Sequence, residues 1–240
     1  MLSLNRARHL SLTVLILGMC PIAGCGAGAG DHGDQGDVEV EGAEIGSAES
    51  ALTTPTSCAE VKAEDENAPD GEYMLELALG PAEIYCDDMA GTPKEYLTLQ
   101  NTSSSANFSQ YTTGGYVGGT SIRTHYTKVR VDLETLRVDI SDTTFSTSTG
   151  NIGGETWMSY GVARNCDWTE SGVANIDLTG TPFAVMPGSF SQVGWYPVGS
   201  ATYSSDDQIV SLTGGGQCGM TSPTDGTTGF ALPLYFQETL

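Results

Sequence analysis

The sequence predicts a mainly β protein, with a single antiparallel, β-rich domain, two disulfides and a short N-terminal helix. Short runs of β-forming residues recur along most of the chain and are separated by Gly, Pro, Asp and Asn. No pair of long helical patterns is present to cover a parallel sheet, which argues against the α/β enzyme folds. The 240 residues include 10 Tyr, 6 Phe and 3 Trp, enough aromatic residues for a hydrophobic core. We therefore expect one folded domain over residues 58–240.

Residues 1–24 are typical of a secretory signal peptide. Arg6 and Arg8 precede an apolar stretch, residues 10–19, that is too short to span a bilayer. Residues 22–25, Ile-Ala-Gly-Cys, resemble a bacterial lipobox, in which the Cys thiol is lipidated before cleavage. The pattern predicts a lipid on Cys25 that anchors the protein to the membrane, and export to the cell envelope as an outer-membrane lipoprotein or to the cell surface. A plain cleaved signal peptide is the alternative.

The composition of residues 25–57 predicts an acidic, disordered tether. They contain Asp and Glu but no Lys, Arg or aromatic residue, so like charges extend the segment and no core can form. Calcium binding by this acidic run is the alternative, although the Asp-x-Asp-x-Asp-Gly ligand spacing is absent. The formal net charge of −21 also excludes nucleic acid as a main partner, because it repels phosphate.

The elements of the domain follow from local patterns. A helix is predicted over residues 58–63, because Ser57 can cap it and Glu60 stands three positions further on. Residues 127–140 predict a hairpin, since apolar and polar residues alternate on both sides of a turn at Glu134 and Thr135. Segments 112–120 and 146–156 carry Gly-Gly pairs and are predicted to be loops. Strands are predicted over residues 72–79, 83–86, 95–99, 127–131, 136–140, 175–178, 183–185, 209–212 and 230–236.

Four cysteines remain in the predicted domain: Cys58, Cys86, Cys166 and Cys218. An even number in an oxidising compartment predicts disulfides. Of the three possible connectivities, the sequential one is favoured, because each bridge then closes a self-contained half of the domain. Zinc binding is the alternative, but no pair has the C-x₂-C or C-x₄-C spacing.

Seven segments of the chain carry a family resemblance, in order and with the cysteines in place: residues 58–62, 68–73, 84–97, 107–111, 126–130, 180–185 and 214–219. Together they resemble the GON domain, best known as the C-terminal module of certain secreted zinc metalloproteases of the ADAMTS type. The opening is also similar to the first subdomain of fibrinogen-like modules. The resemblance implies an extracellular, matrix-like module that accompanies metalloproteases. It implies no catalytic residues, because the protease active site lies in a different domain.

The residues themselves indicate little catalytic chemistry. A zinc protease needs two His and a Glu in an H-E-x-x-H arrangement, whereas the predicted mature chain has only His32, in the tether, and His125. The G-x-S-x-G motif of serine hydrolases is absent as well. We therefore predict no enzymatic activity, no cofactor and no metal site. A carbohydrate-active hydrolase with paired carboxylates is an open alternative, and a purely structural envelope protein is another.

Three sets of residues are candidates for ligand binding. Arg123, His125, Lys128, Arg130 and Arg137 concentrate positive charge on an acidic domain and predict an anion site; cross-strand ion pairs with Asp132 and Asp139 are the alternative. Two acid pairs, Asp87-Asp88 and Asp206-Asp207, are calcium candidates, with turn-forming acids as the favoured interpretation. A third set could stack on sugars if exposed, although burial is favoured for its Trp members: Tyr111, Tyr116, Trp157, Trp168, Trp195 and Tyr196.

These observations predict a non-catalytic recognition or adhesion module outside the cytoplasm, tethered to the cell envelope through Cys25. Its expected partners are the membrane, through the lipid anchor, and a surface glycan or envelope protein.

Overall fold

The computed structural model describes residues 54–224 and 231–237. The predicted signal peptide, the lipidation site at Cys25, His32 and nearly all of the predicted tether lie outside the described residues. The elements in chain order are α1 (Cys58–Glu64), β1 (Gly71–Leu77), β2 (Gly80–Asp87), β3 (Lys94–Thr98), β4 (Phe108–Thr112), β5 (Gly119–Tyr126), β6 (Lys128–Asp132), β7 (Arg137–Asp139), β8 (Ser146–Ile152), β9 (Ala163–Asn165), β10 (Thr169–Asp177), β11 (Phe183–Val185), β12 (Phe190–Trp195), β13 (Val198–Ser204), β14 (Ile209–Gly216), β15 (Cys218–Pro223) and β16 (Ala231–Phe236).

The strands form two sheets, which confirms the predicted mainly β fold. Seven strands lie in the order β1-β2-β3-β6-β7-β16-β11. The second sheet has nine strands, seven of them in the order β12-β15-β9-β4-β10-β14-β13, with β5 beside β4 and β8 beside β5. Within the described residues every strand pair is antiparallel except β4 with β9. The chain passes repeatedly from one sheet to the other.

The predicted N-terminal helix is confirmed. The Ser57 side chain accepts a hydrogen bond from the Glu60 N–H, 3.2 Å away, and so caps α1. The Glu60 carboxylate does not return a bond to Ser57. It accepts instead from the backbone N–H and the hydroxyl of Thr56, at 2.7 and 2.8 Å, and these bonds lower the pKa of Glu60. The backbone N–H of Glu76 also donates to the Pro55 carbonyl, at 2.9 Å, so contacts with the domain begin slightly before the predicted boundary at Cys58.

The predicted hairpin is formed by β6 and β7. Val131 pairs with Val138 across the two strands, and both side chains are buried, as alternation predicts. The polar partners Asp132 and Arg137 also lie opposite each other. The hairpin is the middle of the seven-stranded sheet, with β3 on one side and β16 on the other.

The predicted loop over residues 146–156 is wrong for its first half, which is strand β8. Its sequence, Ser-Thr-Ser-Thr-Gly-Asn-Ile, has no apolar alternation, because five of its seven residues are Ser, Thr or Asn. β8 pairs with β5 alone among the described strands, so most of its side chains face solvent. Backbone pairing, which leaves no mark in the side-chain pattern, forms this strand.

Glycine allows unusually close packing inside the nine-stranded sheet. A Cβ on Gly214 of β14 would lie 2.5 Å from the backbone nitrogen of Thr221 on β15. A Cβ on Gly172 of β10 would lie 2.5 Å from the backbone nitrogen of Arg164 on β9. No real side chain fits at such distances, so backbone packs on backbone here.

Both predicted disulfides are present. Cys58 is joined to Cys86 and Cys166 to Cys218, with sequence separations of 28 and 52 residues. The first bridge attaches α1 to β2, and the second attaches the segment after β9 to the start of β15. In the part of the chain that the structure describes, no helix is long and apolar enough to cross a membrane.

Candidate functional site

Three aromatic side chains contact one another at the protein surface. We call Tyr116, Trp168 and Tyr196 the aromatic cluster. Their side chains are well exposed, at 61%, 54% and 72%. The ring centroids of Tyr116 and Trp168 are 6.3 Å apart, and those of Trp168 and Tyr196 are 5.6 Å apart. The Trp168 indole N–H also donates to the Tyr116 hydroxyl, at 2.5 Å. The three rings therefore form one continuous surface.

The backbone holds these rings in place from several directions. Trp168 and Tyr196 adopt left-handed φ angles of 68° and 43°, which are rare for bulky residues and require support from the surroundings. The N–H of Trp168 donates to the Gly216 carbonyl at 2.9 Å, and the N–H of Tyr116 donates to the Cys166 carbonyl at 3.0 Å. Because Cys166 is also bonded to Cys218, the cluster sits on a cross-linked base.

A polar network lies beside the cluster around Asp167. Its carboxylate accepts hydrogen bonds from the Thr169 N–H at 2.9 Å, the Ser171 hydroxyl at 3.1 Å and the buried Asn165 amide at 2.5 Å. Burial acts to raise the pKa of Asp167, but the hydrogen bonds from Thr169, Ser171 and Asn165 outweigh it and lower that pKa. The carboxylate is thus charged at neutral pH and already has its partners.

A line of hydroxyl groups lies along β13, which begins two residues after Tyr196, and β14, which ends at Gly216 beside Trp168. We call Ser200, Thr202, Ser211 and Thr213 the hydroxyl strip. Ser200 lies opposite Thr213 and Thr202 opposite Ser211, so the four share one face. The hydroxyl oxygens of Ser200 and Thr213 are 3.0 Å apart, and Thr213 donates to the Glu170 carboxylate at 3.1 Å. The strip is polar but, apart from this neighbouring carboxylate, uncharged.

The cationic residues predicted as one anion site are divided between the two sheets. Arg123 and His125 lie on β5, in the nine-stranded sheet, whereas Lys128, Arg130 and Arg137 lie on β6 and β7. Arg123 is held by the Phe108 ring, 3.5 Å below its guanidinium carbon, and donates to the Ser104 carbonyl at 2.7 Å. It also donates to the His125 Nε2, at 3.3 Å. Burial, followed by the charge of Arg123, lowers the pKa of His125, so this histidine is neutral at pH 7.

The remaining three cations lie among acidic residues. The Lys128 ammonium is 3.3 Å from a Glu72 carboxylate oxygen and 4.3 Å from the Tyr85 ring centroid. Arg130 and Arg137 line a groove of about 940 Å³ whose acidic residues outnumber them: Glu76, Glu95, Asp132, Glu134 and Asp139. These acidic neighbours favour cross-strand ion pairs, the alternative that the sequence left open. Anion binding by Lys128, Arg130 and Arg137 stays a prediction.

A model of the GON domain matches residues 55–117 and 115–233. The chain belongs to the GON domain family. This membership agrees with the resemblance inferred from the sequence, and the family is one of non-catalytic modules. No curated protein sequence matches the chain significantly. No solved structure does so either.

The GON domain exposes five of the six aromatic residues that the sequence offered as stacking candidates. The exposed fraction of the three Trp residues ranges from 49% for Trp157 to 70% for Trp195. The prediction that these Trp side chains are buried is therefore wrong. Tyr111, by contrast, is buried, with its hydroxyl 3.2 Å from the Cys166 sulfur. The expectation that Tyr111 is available for stacking is therefore wrong, because its strand β4 lies inside the sheet.

Three acids of the two predicted pairs in the GON domain lie in turns or just after a strand, whereas Asp87 is the last residue of β2. Asp88, Asp206 and Asp207 have left-handed φ angles of 59°, 53° and 65°. Asp88 accepts from the Thr92 N–H at 3.3 Å, and Asp207 accepts from the Tyr235 hydroxyl at 3.1 Å. Among the described residues, no three His, Cys, Asp or Glu side chains are grouped so as to hold a metal ion. The turn interpretation accounts for these acids.

Sequence reasoning did not single out Arg164 of β9. Its guanidinium carbon lies 4.2 Å from the Tyr111 ring centroid, and its Nη1 is 3.0 Å from a Glu155 carboxylate oxygen. Arg164 and Glu155 border a cleft of about 360 Å³ that also contains Trp157 and Met220. Met220 is distant in sequence from the other three residues, and the pairing of β15 with β9 places it opposite Arg164.

Proposed function

We propose that this GON domain is a non-catalytic recognition module outside the cytoplasm, held to the cell envelope by a lipid on Cys25, and that the aromatic cluster is its ligand-binding surface. The observation that carries the proposal is the contact of three exposed rings, Tyr116, Trp168 and Tyr196, on a constrained backbone. Contiguous exposed aromatic surface on a soluble domain is typical of interaction sites.

The energetics support binding at this cluster. Burying one large apolar side chain stabilises a complex by about 1.5–3 kcal/mol, and Trp and Tyr are the residue types most enriched among the dominant contacts of interfaces. The ring positions are already fixed by the hydrogen bonds of Trp168 and Tyr116, so little conformational entropy is lost on binding. A preformed surface of this kind suits recognition.

The environments of the candidate catalytic residues support a non-catalytic role. The Nε2 of His125 accepts a hydrogen bond from the Arg123 guanidinium. In a nucleophilic enzyme this nitrogen would instead accept the proton of the attacking hydroxyl or thiol group. A glycoside hydrolase would need two carboxylates that flank one bond. In the groove beside Arg130, the carboxylates of Asp132 and Asp139 instead accept the backbone N–H groups of the residues that follow them.

Export is supported by the two disulfides, which persist in oxidising compartments, and by membership of a family of extracellular type. The lipid anchor is tested by expressing the chain in a Gram-negative bacterium and separating detergent and aqueous phases. The chain should enter the detergent phase, and Cys25→Ser should move it to the aqueous phase. A mature N-terminus at another residue, found by mass spectrometry, would contradict the anchor.

Recognition is tested with the full chain carrying Cys25→Ser, so that no lipid inserts into membranes, by measuring its binding to isolated cell envelopes from cells that lack the protein. Binding should be saturable and should weaken at least tenfold in Trp168→Ala, the loss of about 1.4 kcal/mol or more. Trp157→Ala is the matched control, because Trp157 is also exposed but lies in the cleft beside Glu155. Equal binding by both variants would show that the aromatic cluster is not the recognition surface.

A further inference from the structure

We infer that the aromatic cluster and the hydroxyl strip together bind an uncharged polysaccharide chain. This inference rests on the proposed function and specifies the class of ligand. The ligand would stack sugar rings on the cluster and extend its hydroxyl groups along β13 and β14.

The chemistry of the cluster suits sugar rings. A pyranose presents C–H groups on its flat faces and hydroxyl groups around its edge. An exposed Tyr or Trp ring offers an apolar face to the C–H groups and a polar tip at the same time. The rings of Trp168 and Tyr196 are tilted by 35° with their centroids 5.6 Å apart, so one ligand can contact both rings.

The hydroxyl strip extends this surface in one direction. Ser200 follows Tyr196 by four residues, at most about 13 Å because Tyr196 precedes the extended strand β13, and Thr202 lies about 7 Å further along that strand. Ser200, Thr202 and Ser211 are exposed, and their hydroxyl groups can donate or accept hydrogen bonds. A surface of up to about 20 Å is suited to an oligosaccharide, not to a single sugar.

The charges of this surface favour a neutral ligand. The cluster and the strip contain no cation, and two carboxylates adjoin them: Asp167 precedes Trp168 in the chain, and Glu170 accepts a hydrogen bond from Thr213. With a net charge of −21 for the whole chain, an anionic polysaccharide is repelled. A basic peptide is disfavoured too, because the Asp167 carboxylate is occupied by Asn165, Thr169 and Ser171, and Glu170 is bonded to Thr213.

The test is tryptophan fluorescence and calorimetry on the full chain in detergent, titrated with hexasaccharides. The probes are cellohexaose, mannohexaose and chitohexaose, which are neutral, the cationic glucosamine hexamer, the anionic galacturonate hexamer and a hexalysine peptide. At least one neutral hexasaccharide should bind, with an affinity that changes less than twofold when the Debye length is shortened from about 10 Å to about 3 Å by salt. The anionic hexamer and hexalysine should bind at least tenfold more weakly.

The variants test both halves of the surface. Trp168→Ala should weaken neutral binding at least tenfold, and Thr202→Val should weaken it about threefold while circular dichroism and the unfolding midpoint stay unchanged. Trp157→Ala should bind like the parent. Thr202 is exposed and at the protein surface, so its variant keeps the test decisive even if Trp168→Ala does not fold.

Each contrary outcome has a distinct meaning. Salt-sensitive binding of hexalysine or the glucosamine hexamer alone would overturn the inference in favour of a basic partner. Failure of all neutral hexasaccharides, with envelope binding still dependent on Trp168, would overturn the inference and leave the proposed function standing. Failure of both assays would overturn the two together.

Discussion

Asn107 allows a sharp test of how the core of this domain is held together. Its side chain is completely buried and uses its full hydrogen-bonding capacity. The amide nitrogen donates to the carbonyls of Asn101 and Asp177, at 2.9 and 2.8 Å. The amide oxygen accepts from the Tyr160 hydroxyl at 2.7 Å and from the Asp177 N–H at 2.8 Å. One side chain thus connects three segments that are distant in the sequence.

Asn107→Ala should lower the free energy of unfolding by about 3 kcal/mol or more. The change removes the partners of three buried groups, the Tyr160 hydroxyl and the N–H and carbonyl of Asp177, and each such loss costs about 1–3 kcal/mol. The left-handed φ of 48° at this position adds strain for Ala, which Asn tolerates better.

Asn107→Asp separates the two halves of the network. The new carboxylate still accepts from Tyr160 and Asp177, but its second oxygen faces the two carbonyls that the amide nitrogen faced. A buried carboxylate in that position favours its protonated form, so its pKa rises in the folded state. Stability is then lost as pH rises above the unfolded pKa of about 3.9, by up to about 1.4 kcal/mol per pH unit. Between pH 4 and pH 7 the deficit relative to the parent should grow by up to about 4 kcal/mol.

The assay is urea unfolding followed by circular dichroism at pH 4 and pH 7, with disulfides intact. Asn151→Asp is the matched control, because it adds the same charge at an exposed position and should show almost no pH-dependent deficit. An Asn107→Asp protein as stable as the parent at pH 7, or with the same deficit at both pH values, would refute the role assigned to the amide nitrogen.

Three further predictions concern packing, cross-links and charge. Gly214→Ala should destabilise the domain by about 1–3 kcal/mol or more, because its Cβ would press on the Thr221 backbone. Gly118→Ala is the control and should be tolerated, since its Cβ meets no atom within 4 Å. Equal unfolding midpoints for the two variants would contradict the close packing. Removing the Cys58–Cys86 bridge by Cys58→Ser and Cys86→Ser should cost about 3–4 kcal/mol by loop closure over 28 residues, measured by chemical unfolding, and no loss of stability would contradict it. If Arg130 serves only in ion pairs, Arg130→Glu should change the free energy of unfolding by at most about 1 kcal/mol and leave heparin binding unchanged. Salt-sensitive heparin binding that is present in the parent and lost in the variant would support the anion site instead.

The sequence predicted those strands whose side chains alternate between the core and solvent. Val129, Val131 and Val138 are such residues, and the β6–β7 hairpin was predicted from them. Strands rich in Ser, Thr and Gly, such as β8 and β15, carry no such pattern. Their partners are determined by backbone hydrogen bonds to distant segments, which a single sequence does not reveal.

The candidate site shows the same limit. Arg123 and Lys128 are close in sequence, but β5 ends at Tyr126 and β6 begins at Lys128, so the chain changes sheets between them. Proximity along the chain was therefore misleading. Tyr116 and Trp168, by contrast, are distant in sequence and contact each other because Tyr116 bonds to Cys166. The exposed aromatics could be named from composition and Gly-rich context, but their contact could not.

The position of β16 sets the order in which the domain can be completed. This strand lies between β7 and β11, with Leu232 beside Val138 and Leu234 beside Val185. Until β16 pairs with them, β7 and β11 both have open edges, and open edges recruit strands from other chains. We expect a chain stopped before residue 231 to lose an interior strand of this sheet and to aggregate. Protection of the incompletely folded chain, more than the stability of the finished domain, should then decide how much folded protein is obtained.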